Sequence, residues 1–307
     1  MTSVAVDTVK PSPLDALLVL LRALKLPAFN RHAEEIAIKA SREGWAFSQY
    51  LQHLAELEIE ERRTRRIDRA LRDSDLPAEK ILATLERGRL SPKVMKQMAS
   101  LCEGGFVERG ENLLVFGLPG RGKTHVVAAI GHELVQRGYR VLFTPTFALV
   151  QRLLAAKRDL RLERELAALD IYHAVILDDI GYVQQSRDEM EVLFTFLAER
   201  YERKSVLITS NLVFSDWIRI FKDPMTTAAA IDRLVHHAVI LEMTGPSYRS
   251  EEARKRGVTT PHCLAQIATG RESLPHRKCY PRRQHVEHQQ EGPPRDPRGS
   301  QRALPNG

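Results

Sequence analysis

Residues 117–125 read Gly-Leu-Pro-Gly-Arg-Gly-Lys-Thr-His, directly after the apolar run Leu113, Leu114, Val115, Phe116. The spacing GxxxxGK[ST], set between an apolar strand and a helical stretch, is that of a phosphate-binding loop at the carboxyl edge of a parallel sheet. It therefore restricts the chain to an α/β architecture. Gly117, Gly120 and Gly122 allow the backbone to turn its N–H groups onto phosphate oxygens, and Leu118, Pro119, Arg121 and His125 complete the cradle. Lys123 supplies charge to the β- and γ-phosphates, Thr124 a hydroxyl for Mg2+, and the helix expected over 123–137 points its positive end at the same anion.

A second element completes such a site. Val175, Ile176, Leu177 lead into Asp178 and Asp179, an apolar strand ending in two carboxylates where open α/β sheets bind ligands. Asp178 is expected to hold Mg2+, and Asp179 to orient or deprotonate the attacking water. Asn211, at the tip of the strand expected over 205–209, offers an amide for the water and the γ-phosphate.

Apolar strands expected at 113–116, 140–144, 173–178, 205–209 and 238–242 alternate with amphipathic helices, which predicts a parallel sheet covered on both faces. A strand intervenes in sequence between Lys123 and Asp178, the order of the additional-strand class of phosphate-loop ATPases. The first hundred residues read as helices: Pro13 to about Leu26, stopped by Pro27; Asn30, as N-cap, to Gly44; Ser48 to about Ser74; and two shorter pieces over 76–101, the second opening at Ser91–Pro92. The expected organisation is a disordered segment 1–11, a helical domain 12–101, a phosphate-loop domain 102–250 and a disordered basic tail 251–307.

At 43% hydrophobic and 28% charged residues, the composition is that of a globular protein, and no apolar stretch reaches the roughly 18 residues of a membrane helix. No membrane partner is expected, and the cytoplasm is the expected location. Cys102, Cys263 and Cys279 are too scattered for a disulfide framework, and His262, Cys263, His276, Cys279, His285 and His288 fit no standard zinc spacing.

The formal net charge is +7, which suggests a polyanionic partner. The tail carries 11 Lys and Arg against 6 Asp and Glu, so overall charge says little about the rest. More specific is ERRTRRIDRALR, residues 61–72, where helical periodicity gathers Arg62, Arg65, Arg66, Arg69 and Arg72 on one face with Ile67 and Leu71 opposite. Such a stripe is suited to a duplex backbone; a solvated face paired with Glu58, Glu60 and Glu61 is the other reading. No aromatic residues interleave the arginines, which disfavours stacking on single-stranded bases.

From Phe106 to Arg249 the chain resembles the AAA+ ATPases of the IstB and DnaC group, and more specifically the IstB-like helpers of insertion-sequence transposases. The resemblance is carried by FVERGENLLVFGLPGRGKTHVVAAIGHELVQRGYRV, ILDDIGY, RYERKSVLITSNLVFSDW and FKDPMTTAAAIDRLVHHAVILEMTGPSYR, with LKLPAFNRHAEEIAIKASREGW in the helical region. It implies a five-stranded three-layer AAA+ sandwich after a small all-α domain, ATP and Mg2+ as cofactors, slow ATPase activity, a homo-oligomer on duplex DNA and an IstA-like transposase as partner. It also makes Asn211 sensor I, Arg233 the finger that reaches a neighbouring subunit, and Arg249 sensor II. Asp179 departs from the glutamate many AAA+ proteins use, and Leu118 from a frequent proline. A helicase loader of the DnaC type, and a DNA scaffold that binds ATP with negligible turnover, remain open alternatives.

Overall fold

The computed structural model describes residues 13–182, 186–218, 223–245, 247, 248 and 251. Segment 1–11, Arg249 and the tail beyond Glu251 lie outside the described residues. The elements run α1 (Pro13–Ala23), α2 (Pro27–Glu43), α3 (Phe47–Arg72), α4 (Pro92–Cys102), α5 (Gly105–Glu108), β1 (Asn112–Phe116), α6 (Lys123–Gln136), β2 (Val141–Pro145), α7 (Thr146–Arg158), α8 (Leu162–Leu169), β3 (Ala174–Asp178), α9 (Arg187–Arg200), β4 (Ser205–Ser210), α10 (Pro224–Val235) and β5 (Ala238–Glu242). Among the described residues, no helix is long and apolar enough to cross a membrane.

All strand pairings are parallel, in the order β2-β3-β4-β1-β5. This is the five-stranded sheet of the additional-strand AAA+ class. In sequence the strand between loop and acids is β2, but in space it is β4 that separates β1 from β3, while β2 takes the edge. Alternate residues of each strand enter two different cores. Leu113, Val115, Ile176 and Leu207 face α6 and α4, whereas Leu114, Phe116, Val175, Leu177 and Ile208 face α7, α9 and α10. Burial on both faces explains why these strands read as near-continuous apolar runs.

The helical region follows its sequence signals with two corrections. Asn30 is not an N-cap: α2 begins at Pro27, three residues earlier. A proline has no N–H to lose and its fixed φ suits the first helical position. Gly44 does cap this helix, at φ 70° with its N–H on Ala40 O. The first of the two short pieces expected over 76–101 is a chain of turns ending in a 3-10 turn at Arg87–Arg89. There the Thr84 hydroxyl donates to Glu79 O at 2.6 Å and accepts from Ile81 N at 3.2 Å, side-chain bonding that competes with a helix. The second piece is α4, and its Ser91 cap accepts from Val94 N.

Helix α3 joins two cores. Leu54 packs with Ala33 and Ile36 in a small helical cluster, while Ile67, Ala70 and Leu71 pack against the cluster of α6 and the sheet. Just beyond its end, buried Ser74 accepts from Phe143 N of β2 at 2.7 Å. Near its middle, Glu58 is buried and accepts from Ala28 N at 2.7 Å and Arg62 Nε at 2.7 Å. Burial pushes the Glu58 carboxyl up, but the Ala28 N–H and the Arg62 and Arg65 guanidinium groups outweigh it and hold the carboxyl below its usual 4.5.

A group whose native pKa is depressed stabilises the fold above its unfolded pKa and loses that contribution as pH falls through the native value. The resistance of the α1–α3 region to chemical denaturation is therefore expected to fall progressively below about pH 4.5. Glu58→Gln should flatten that acid limb, an effect readable from denaturation midpoints between pH 6 and pH 3.5.

Candidate functional site

The carboxyl ends of β1, β4 and β3 lie level. Val115 pairs with Thr209 and Leu177 with Ile208, so Thr209 is flanked by the phosphate loop on one side and by Asp178 on the other. The Thr124 hydroxyl, in the first turn of α6, lies 3.0 and 3.2 Å from the two Asp178 carboxylate oxygens. The Thr209 hydroxyl donates to Asp178 Oδ1 at 2.6 Å and accepts from Asp179 N at 2.8 Å. One fully buried hydroxyl thus fixes the side chain of the first acid and the backbone of the second. Buried Thr146 adds a bond from its hydroxyl to Asp178 O at 2.9 Å. Asp179 itself adopts φ 56°, a left-handed conformation uncommon outside glycine.

Gly122 N-caps α6 at φ 84°. A Cβ there would lie 3.3 Å from the Tyr248 ring, so both conformation and space call for glycine. The Lys123 ammonium is held by Gly117 O at 2.7 Å and Leu118 O at 3.2 Å. Thr124 Oγ1 and the Asp178 carboxylate are hard oxygen donors placed side by side, a donor set that fits Mg2+.

Around the loop lies a cleft of about 230 Å³ lined by Pro119 to Val126, Asp179, Lys80, Leu85, Leu90, Met243 and Tyr248. It has an anion-binding end at the start of α6 and an apolar end suited to a planar base. The apolar wall was not foreseen from the sequence, because its residues come from the turns before α4 and from the segment after β5. His125 Nε2, 3.2 Å from Ile81 O, holds those turns against α6. Tyr248 donates its N–H to Gly120 O at 2.9 Å and stacks on the Arg89 guanidinium, 4.2 Å from ring centre.

The other sequence-derived residues fall elsewhere. Asn211 lies in a second groove, of about 450 Å³, with Gly117, Leu118, Arg121 and Glu242. Its Oδ1 is buried without a hydrogen-bond partner and sits where a Cβ on Gly181 would lie at 2.3 Å. A side chain at Gly181 in the DDIG sequence would therefore displace the amide above it. Arg233, in the last turn of α10, lies over the Phe194 ring at 4.6 Å; it lines neither the nucleotide-sized cleft nor the second groove.

The arginine stripe divides. Arg62 bonds Glu58 and Lys25 O, and Arg65 lies 3.6 Å from both Glu58 and Glu61. Arg66, Arg69 and Arg72 are exposed, and among the described residues none has a carboxylate partner.

Thr209 was the main functional residue missed; its signal was a hydroxyl at the tip of an otherwise apolar strand, two residues before Asn211. Thr209→Val is expected to weaken Mg2+-dependent binding of a nucleoside triphosphate by about tenfold or more, the scale of losing a supporting partner to a metal ligand. Thr209→Ser should retain it. Calorimetric titration with Mg2+ and with EDTA checks both.

The family model described as IstB-like ATP binding protein matches residues 19–256. An insertion sequence ATP-binding protein of Sinorhizobium fredii is 43% identical over 236 residues, covering 76% of this chain and 79% of its own. The insertion sequence IS21 ATP-binding protein of Pseudomonas aeruginosa is 38% identical over 246 residues, covering 79% and 91%. A third, from the insertion sequence IS5376 of Geobacillus stearothermophilus, is 33% identical over 231 residues, covering 75% and 92%.

Proposed function

This chain belongs to the IstB-like ATP-binding protein family, and from that premise we propose that it is a cytoplasmic AAA+ ATPase that assembles on duplex DNA and assists a cognate IstA-like transposase in target selection. The observation that carries the ATPase reading is the Thr124–Asp178–Thr209–Asp179 array beside the phosphate loop. A metal-holding hydroxyl and carboxylate beside a second acid that can position water support a reading of ATP binding and hydrolysis.

In this reading the N–H groups of Gly117 to Gly122 and the Lys123 ammonium bind the phosphates. Thr124 and Asp178 hold Mg2+, which when bound neutralises charge on the β- and γ-phosphates. Asp179 accepts a proton from the water that attacks the γ-phosphorus, the bond to the β,γ-bridging oxygen breaks, and ADP and phosphate leave. Asn211 orients the water or γ-phosphate once the second groove and the cleft close on nucleotide. Arg233 acts on the site of a neighbouring copy, a role supported by its distance from its own cleft, and Arg249 acts as sensor II. A guanidinium in such a position contributes about 10³ to 10⁵ in rate. A lone protomer is then a poor ATPase.

DNA contact is assigned to the open half of the stripe. Arg66, Arg69 and Arg72 are exposed on the helix whose Ile67 and Leu71 enter the core, and among the described residues no carboxylate competes for them. Arg62 and Arg65 serve the helical fold through Glu58 and Glu61. Phosphate contacts of this kind give sequence-independent affinity, so target choice falls to DNA shape or to the transposase.

Lys123→Ala should abolish DNA-stimulated hydrolysis; a steady-state rate equal to wild type would exclude the enzyme. Arg233→Ala should keep ATP affinity within a fewfold and reduce stimulated turnover by about 10³ or more, with activity restored on mixing with Lys123→Ala protein, which donates an intact finger. Charge reversal at Arg66, Arg69 and Arg72 should make the slope of log affinity for duplex DNA against log salt less negative by about 2 to 3. The same change at Arg62 should act on stability instead. Co-purification with a helicase rather than a transposase would replace the partner while leaving the ATPase chemistry in place.

A further inference from the structure

Away from the nucleotide cleft, the turn after α9 meets the end of α10. Glu202, His236 and His237 each present one ligand atom there, and these atoms all lie within 4.8 Å of one another. Glu202 Oε1 is 3.8 Å from His236 Nδ1 and 3.7 Å from His237 Nε2. We propose that these three side chains form a binding site for a divalent transition-metal ion of the zinc class.

The donor set selects the ion. Two imidazoles and one carboxylate suit Zn2+, Co2+ or Ni2+, whereas Mg2+ and Ca2+ favour all-oxygen shells. Metal–ligand bonds of about 2.0 to 2.2 Å place tetrahedral ligands about 3.3 to 3.6 Å apart. The two Glu202–histidine separations need to contract by only a few tenths of an ångström, and the third already lies within 4.8 Å. The side chains are 52 to 54% exposed, so they have the freedom to do so and an ion has access, with water completing the shell.

The backbone beneath them is held. His237 O accepts from Asn112 N at 2.7 Å, at the start of β1. The Asn112 side chain, itself buried, donates to Leu234 O at 3.2 Å and accepts from Val206 N at 2.9 Å, tying the end of α10 to β1 and β4. Buried Arg200 fixes the other side of the turn through Leu169 O, Tyr172 O and Ser205 O. Glu202 stands at φ 56°, a conformation that costs energy in a non-glycine residue and that clusters at functional positions. Tyr201 adds a neighbouring polar group: its hydroxyl is 3.0 Å from His236 Nδ1.

A metal here clamps the end of α10 to the turn after α9. His236 and His237 follow Arg233 by three and four residues, so the clamp would stiffen the turn of helix that carries that arginine. The site stands whether or not Arg233 acts across subunits, since it requires neither nucleotide nor a second copy.

The test is titration of the full chain with Zn2+ and Co2+, wild type against a Glu202→Gln, His236→Asn, His237→Asn triple variant. The histidines and cysteines at 262–288 are common to both, so the difference isolates this site. Wild type should bind one more equivalent of Zn2+ than the triple variant, and the extra Co2+ should show d–d absorption without added thiolate charge transfer. His237→Gln alone should weaken the extra site at least tenfold, at or above the effect of losing an outer-shell partner. Equal stoichiometry and affinity in wild type and triple variant, with matching circular dichroism, would overturn the assignment.

Discussion

Both faces of the central sheet are covered, and this constraint arranges everything else. With Leu113 and Val115 committed to one core and Leu114 and Phe116 to the other, β1 has no face left for chemistry. Polar function is confined to the strand ends. The carboxyl edge is where parallel strands release the chain into loops, and there the glycine-rich turn, Thr209 and the Asp178–Asp179 pair line up across three adjacent strands. An exposed sheet face would leave the acids free to lie anywhere; the two-sided core leaves them one edge.

Within that edge a threonine hydroxyl does what no charged group could do as cheaply. A second cation near Asp178 would compete with the ion that the acid is suited to hold, whereas Thr209 donates one bond to it and accepts one from the next residue's N–H. The bond to the backbone supports Asp179 in its left-handed conformation, and so sets where its carboxylate begins.

Helix α3 shows how one element serves two purposes through its two ends. Its 26 residues span about 39 Å, long enough to leave the small cluster around Leu54 and reach the core beside α6. The arginines divide accordingly. Where the helix crosses α2, buried Glu58 needs compensation and captures Arg62 and Arg65; where it lies on the core of α6 and the sheet, Ile67, Ala70 and Leu71 face inward and Arg66, Arg69 and Arg72 stay open. Counting arginines in the sequence treats them as one stripe, and only the position of a buried carboxylate separates them.

The sequence alone determined the fold class, the five strands to within a residue or so, the phosphate loop, and the acid-tipped strand, because each is a local pattern: two-sided burial writes apolar runs, and a phosphate cradle writes glycines at fixed spacing. It also marked Gly44 and Ser91 as caps, since capping is settled within one turn. What the tertiary structure decided was everything that depends on residues meeting from distant parts of the chain. That includes β4 rather than β2 between loop and acids, the turns over 77–90 folded against α6 in place of a helix, the Leu85–Leu90–Tyr248 wall, and the approach of Glu202 to His236 and His237. Spacing along the chain carries no record of which strand ends lie level or which turns touch; packing of the two cores fixes those, and with them the residues that share a site.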